Sequence, residues 1–247
     1  KRDSDTAKPH AEYVSEAVRQ LVYAQYGADT YTKGLNVYTT IKHADQTAAY
    51  NALRKGIMDF EKRQNYRGPE LFVDLPSNQA ELEDAIDNVL TDHHNMDDLK
   101  VAVVTSVNGK KVTATMQNAE TIEITGDGLK LASLGLSDKA PANIKIRRGA
   151  VIRVIKSIKN TWEIAQLPEV EGAFVALDPR TGEIKALVGG FDYNKNKFNH
   201  VTQAWRQPGS SFKPFIYSSS LEKGLSPATV INDSPLFFDA SVTGGQP

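Results

Sequence analysis

A serine and a lysine stand three residues apart in the stretch RQPGSSFKPF, Arg206 to Phe215: Ser210 and Lys213. A serine hydroxyl is a poor nucleophile until a base takes its proton. Lysine is such a base only as the neutral amine. Burial, a nearby second cation or the positive end of a helix dipole favours that form. A helix starting here would put both side chains on one face. Its first N–H groups could also receive a developing oxyanion, and Gly209 would leave room for a substrate backbone. The same spacing equally describes a capping serine followed by a solvated lysine. The pattern alone does not choose between them.

A second Ser-x-x-Lys pair, Ser220 and Lys223, is an internal control. Roughly one such match arises by chance in a chain of this size. Lys223 sits just before Gly224, at the expected end of the helix, where a cation favours the negative pole. Other candidates carry less chemistry. Asp92, His93, His94, Asp97 and Asp98 cluster after a helix, but adjacent histidines rarely share a metal, so a polar loop is expected. The basic run KIRRGAVIRVIK has no interleaved aromatic for base stacking and reads as an exposed strand face. Lys195 and Lys197 read as a solvated loop.

The elements that must position these residues follow from periodicity. Val14, Val18, Leu21 and Val22 recur at helical spacing between Ala11 and Tyr26, with Gly27 as a stop. LNVYTTI, residues 35–41, reads as a strand. Ala49, Ala52, Leu53, Ile57 and Phe60 form a helical stripe from Asp45 to Phe60, and Gly68-Pro69 breaks it. A short helix around Leu82, Ile86 and Leu90 starts at Ser77 or Asn78. The period then falls to two. Two strands flank Asn108-Gly109, and TIEIT, IKIRRGAVIRVIKS and WEIAQL extend a run of short strands that predicts a small OB-like β-barrel. A hairpin follows around the turn Asp178-Pro179-Arg180-Thr181-Gly182. The last helix runs from Ser211 to Lys223, with Phe212, Phe215, Ile216 and Ser219 on one face. The fold class is α+β.

The 247 residues carry 29 basic and 30 acidic side chains and no cysteine. That balance argues against a dedicated nucleic-acid binder. Without cysteine there are no disulfides, thiolate metal sites or cysteine nucleophile. No apolar run is long enough to cross a membrane. The polar start, KRDSDTAKPHAEYV, and the Gly-Gly-Gln-Pro end read as cuts within a longer protein.

GAFVALDPRTGEIKALVGG, a loop and then RQPGSSFKPF resemble the opening of the transpeptidase domain of penicillin-binding proteins. GLNVYTTI with the alanine-rich helix, and YRGP, resemble the interdomain linker of the class A, bifunctional members. The barrel resembles the OB-like insertion of the 1a type of Gram-negative bacteria. The resemblance implies a linker over residues 1–68, an OB-like barrel over 69–168 and the first part of a serine transpeptidase α/β domain over 169–247. It implies that Ser210 is the acylated nucleophile and Lys213 its general base. The implied reaction is D,D-transpeptidation: cross-linking of peptidoglycan through D-Ala-D-Ala stem peptides, with β-lactams as substrate mimics and no metal or organic cofactor. The family's S-x-N and K-T-G motifs do not occur in a usable place, so the chain by itself is expected to be inactive. The implied parent carries a glycosyltransferase domain and a membrane anchor, takes a lipid-linked precursor, and works on the periplasmic side of the inner membrane. Activator proteins of cell-wall synthesis are further implied partners of the OB-like domain. A binding or scaffold module with no catalysis is the rival reading. A β-lactamase or D,D-carboxypeptidase, which share the nucleophile motif, would have no need of linker and barrel.

Overall fold

The computed structural model describes residues 10–235 and Ser241; residues 1–9 of the polar start and the Gly-Gly-Gln-Pro end lie outside them. In chain order the elements are α1 (Glu12–Tyr26), α2 (Asp29–Thr32), α3 (His43–Glu61), β1 (Leu71–Phe72), α4 (Gln79–Asp92), β2 (Lys100–Asn108), β3 (Lys111–Thr115), β4 (Thr121–Thr125), β5 (Ala150–Lys156), β6 (Trp162–Ala165), β7 (Phe174–Leu177), β8 (Ile184–Val188) and α5 (Lys213–Glu222). The chain is α+β. It forms two compact units, one ending at Ala204 and one beginning at Trp205.

The barrel is one sheet in the order β1-β5-β2-β3-β4, with β6 also paired to β5. All its pairings are antiparallel, and β2 and β3 form the expected hairpin, with Asn108 opposite Lys111. The register shifts between Val104 and Ser106, a bulge that bends β2 and lets the sheet curl. β6 comes near β4 without a ladder between them, so hydrogen bonds leave the sheet open there. One face of the sheet encloses Ala102, Val104, Val112, Ala114, Ile122, Ile124, Ile152 and Val154. On the other face Val101, Val103 and Val151 pack under Ile86 and Leu90 of α4. Strand β2 is therefore buried on both faces from Val101 to Val104, which explains its unbroken apolar run. The cap of α4 is Asn78, whose Oδ1 accepts the Ala80 N–H at 3.1 Å.

The second sheet is the hairpin β7–β8. Asp178 Oδ1 accepts the N–H groups of Arg180 (2.9 Å) and Thr181 (3.2 Å), and Gly182 N–H donates to the Asp178 carbonyl. These backbone donors hold the Asp178 carboxyl below the usual aspartate range. Ala49, Tyr50 and Leu53 of α3 pack on this hairpin against Ala186, Val188 and Ala176.

Helix α3 also carries three buried polar side chains that hydropathy does not reveal. Gln46 donates from Nε2 to the carbonyls of His10 (3.0 Å) and Leu187 (2.9 Å), and its Oε1 accepts the Leu187 N–H at 2.8 Å. Arg54, 2% exposed, donates to Asp98 Oδ1 and to the carbonyls of Phe191 (2.9 Å) and Met96 (2.7 Å). Glu61 accepts from Arg67 (2.8 Å), Gln166 (3.2 Å) and the Glu169 N–H (3.1 Å). Within the predicted stripe, Ala52 and Phe60 are exposed.

Several other expectations need correction. Residues 35–41 form no strand and join no ladder among the described residues. Thr40 Oγ1 donates to the Ile184 carbonyl and the Lys42 N–H to the Lys185 carbonyl. Strand propensity alone does not supply a partner. Of IKIRRGAVIRVIKS, only Ala150–Lys156 is strand. Its basic residues do not form a free face. Arg153 is buried and ion-paired with Glu70, Arg148 donates to the carbonyls of Leu75 and Pro76, and Arg147 lies 4.6 Å from the Phe72 ring centre. Lys195 is not simply solvated, since it pairs with Glu171 at 2.6 Å.

Two outcomes follow from these contacts. Arg54→Leu leaves the Phe191 and Met96 carbonyls without their donor and should lower stability in urea by about 2–4 kcal/mol. Asp98→Asn, at a half-exposed position, should cost under about 1 kcal/mol; equal costs would contradict the assignment. Because the Asp178 carboxyl is depressed, its support of the turn is present above the ordinary value of about 3.9 and is lost as pH falls through the lower folded value. The amide signals of Arg180 and Thr181 should titrate together with a midpoint below that ordinary value.

Candidate active site

The predicted pair lies wholly within the second compact unit. Gly209–Phe212 form a single 3-10 turn, and α5 begins at Lys213. The Lys213 N–H donates to the Ser210 carbonyl, so the two residues are the ends of one 3-10 turn. In that geometry side chains three apart eclipse one another. Gly209 holds φ +53 with open space around the position a Cβ would take. The left-handed backbone, not crowding, is what favours glycine there. Pro214 stands in the first turn of α5, where the missing N–H costs nothing.

Of the alternative, the capping half fails on geometry, while Lys213 is the exposed first-turn lysine it expects. Phe212 is the N-cap residue of α5 and Pro208 that of the 3-10 turn, and neither end has a side-chain cap bond. No hydrogen bond ties the Ser210 hydroxyl to another described residue. Both side chains are exposed. The control pair behaves differently. Ser220 donates its hydroxyl to the Ile216 carbonyl at 2.8 Å, and Lys223 is the C-cap residue. Gly224, at φ +85, closes the helix. Its N–H donates to the Leu221 carbonyl and the Leu225 N–H to the Ser220 carbonyl, both at 3.0 Å, which is a Schellman end. The predicted helix Ser211–Lys223 is thus one 3-10 turn plus α5.

The remaining candidates lie in the first compact unit. Asp98 is held by Arg54, the His94 carbonyl accepts from Arg153, and Asp97 lies 3.9 Å from His10. No group of three or more metal-ligating side chains occurs among the described residues. No described helix is long and apolar enough to cross a membrane. The apolar side chains of α5 are exposed rather than set against a core: Phe212 is 52% and Phe215 67% exposed, with their rings 5.5 Å apart.

Comparison with known proteins places both parts of the chain. Residues 66–170 match the penicillin-binding protein OB-like domain, and residues 172–243 match the penicillin binding protein transpeptidase domain. Penicillin-binding protein 1A of Neisseria lactamica is 42% identical over 227 residues, covering 92% of this chain. Penicillin-binding protein 1A of Escherichia coli (strain K12) is 38% identical over 238 residues, covering 94%. The chain belongs to the class A penicillin-binding proteins of the 1a type. It spans 28% of the length of each of those relatives. A crystal structure of penicillin-binding protein 1A from Haemophilus influenzae aligns with a TM-score of 0.77 at 30% identity, over 93% of this chain and 33% of that one. Ser210 and Lys213 fall within the segment matched to the transpeptidase domain.

The helix end offers a direct check on the frame that carries the pair. Gly224→Ala should strain the left-handed position and destabilise α5 by about 1 kcal/mol. Amide hydrogen exchange should quicken across residues 213–222; unchanged exchange would show that the Schellman end does not hold the helix.

Proposed function

We propose that the chain supplies the nucleophile and base of a peptidoglycan D,D-transpeptidase. Lys213 Nζ, as the neutral amine, takes the proton of Ser210 Oγ. The oxygen attacks the carbonyl of the penultimate D-alanine of a stem peptide, and the peptide bond breaks. The leaving D-alanine amine takes up the proton. An amine of a neighbouring stem peptide then attacks the Ser210 ester, forming the cross-link and returning the hydroxyl. A β-lactam follows the first half of this path and leaves an acyl-serine. The observation that carries the reading is the 3-10 turn that sets Lys213 one turn after Ser210 while leaving the serine hydroxyl unspent on capping. Its place inside the transpeptidase match supports the same reading.

The division into a linker through residue 68, an OB-like barrel over 69–168 and a transpeptidase part from 169 is supported by the matched ranges. In the whole protein the same reading entails a glycosyltransferase domain acting on a lipid-linked precursor. It also entails a membrane anchor, a site on the periplasmic face of the inner membrane, and activator proteins that dock on the OB-like domain. These features belong to the reading of the whole protein, of which this chain spans 28% in its 1A relatives.

Labelling of the full-length parent by a fluorescent penicillin tests the assignment. Ser210→Ala should abolish labelling, and Lys213→Ala should slow acylation by about 10²–10⁴-fold. Ser220→Ala and Lys223→Ala should leave the rate unchanged. Persistent labelling of Ser210→Ala, or loss of labelling in Ser220→Ala, would contradict it.

A further inference from the structure

The hairpin between β2 and β3 turns at Asn108-Gly109, the one Asn-Gly step in the sequence. The acyl-transfer reading uses neither residue. The turn is tight: the Lys110 N–H donates to the Asn108 carbonyl two residues back, as in a γ-turn. Asn108 is exposed, and its carboxamide bonds to no described residue. The Gly109 N–H likewise donates to no described residue. A Cβ at Gly109 would meet nothing within 4 Å. The Asn108–Lys111 pair alone separates the turn from the next ladder pair, Val107–Val112. The end of a hairpin opens locally at low cost.

These features meet the needs of one reaction. A backbone nitrogen that attacks the side-chain Cγ of the residue before it closes a five-membered imide. The nitrogen must be free of other bonds, the carboxamide must be free to turn, and the residue that follows must not obstruct the approach. Glycine, with no Cβ, obstructs least. Lys110 is exposed beside the nitrogen, and a nearby cation favours its deprotonated, attacking form. Other asparagines each fail a condition. Asn95 is bonded through both side-chain atoms, to Gln117 (2.7 Å) and to the Val101 N–H (2.9 Å). Asn78 Oδ1 and Asn196 Oδ1 accept backbone N–H groups. After Asn160 the Thr161 N–H donates to Ser157 Oγ at 3.2 Å, and after Asn194 the Lys195 N–H donates to Asp192 Oδ1 at 3.1 Å. Asn118 is exposed, but Ala119 behind it carries a Cβ.

We propose that Asn108 is a site of spontaneous covalent modification, deamidation to aspartate and isoaspartate. The Gly109 nitrogen bonds to Asn108 Cγ and gives up its proton. The Cγ–Nδ2 bond breaks, and the side-chain nitrogen leaves as ammonia with that proton. Water then opens the imide. Cleavage at Cγ gives aspartate; cleavage at the backbone carbonyl carbon gives isoaspartate, with the chain running through the side chain. Water is the one co-reactant. Either product adds a carboxylate at residue 108, opposite Lys111, whose amine pairs with Glu123 at 2.7 Å. Isoaspartate also adds a methylene to the main chain and so breaks the Asn108–Lys111 register, leaving the ladder from Val107–Val112 inward in place. The proposal is independent of Ser210 chemistry.

The test is ageing of this chain in neutral buffer, read by peptide mass mapping and by isoaspartyl methyltransferase labelling. Asn108 should convert at least about tenfold faster than Asn118, Asn160 or Asn194. Its rate in the folded chain should stay within about threefold of that in a synthetic peptide spanning residues 104–113, because an end turn opens freely. Gly109→Ala should slow conversion by about tenfold. Gly109 has no left-handed φ and open space around it, so this variant should keep the circular dichroism spectrum of the parent sequence. In the aged chain, hydrogen exchange should quicken at residues 107–112 and nowhere else. Conversion in the folded chain about tenfold slower than in the peptide, equal conversion at another of these asparagines, or an unchanged rate in Gly109→Ala would overturn the proposal. Ser210→Ala should age at the same rate, so this test fails separately from the acylation test.

Discussion

Three polar side chains buried along one helix hold the first unit of this protein together. Gln46, Arg54 and Glu61 are spaced by eight and seven residues, which places them within one strip of α3. Each meets backbone groups far away in sequence: Gln46 at Leu187, Arg54 at Met96 and Phe191, and Glu61 at Glu169. Apolar packing between a helix and a sheet tolerates sliding. A buried guanidinium or carboxylate with fixed partners does not, because losing one partner leaves a desolvated charge. The helix therefore fixes the linker, the barrel and the β7–β8 hairpin at set distances along its axis. Arg54 adds contact with the Phe191 ring, 4.0 Å from its centre, a stacking geometry that lysine would not reproduce.

The barrel solves a different problem. Its strand β2 is apolar on both faces, so each face needs a cover. The barrel interior covers one and α4 the other. Helix α4 can therefore be acidic along its outer side without loss to the core, since Ile86 and Leu90, with Leu82 and Val89 beside them, anchor it and Asn78 caps it. The resulting separation of charge, acidic helix over basic barrel, is a property of the surface and not of the fold.

Much of this was legible in the sequence, and the misses have physical causes. Alternation and turn residues located β2, β3, β4, β7 and β8, because antiparallel strands and tight turns are local. The Ser210–Lys213 pair and its glycine-led turn were legible for the same reason. The buried face of α3 was read wrongly at Ala52 and Phe60, since hydropathy has no way to see that Gln46, Arg54 and Glu61 are inside. Residues 35–41 have a strand's composition, but pairing depends on a neighbour that composition does not specify. Arg153 looked exposed in a basic run and is buried, because Glu70, just before β1 and 83 residues earlier, pairs with it. Long-range polar pairing was the information that periodicity could not carry.

At the candidate site the decisive feature is small: one 3-10 turn between a hydroxyl and an amine, ahead of a helix closed cleanly at Gly224. The account requires the amine to be the proton acceptor and not merely a neighbouring charge. Lys213→Cys followed by aminoethylation, with any cysteine elsewhere in the parent first replaced, would set a less basic amine at the same place. The pH dependence of penicillin acylation in the full-length parent carrying that change is the most direct measurement. The rising limb of the rate should move to lower pH, following the basicity of the amine. A limb that stays where it was, with activity retained, would show that another group takes the proton.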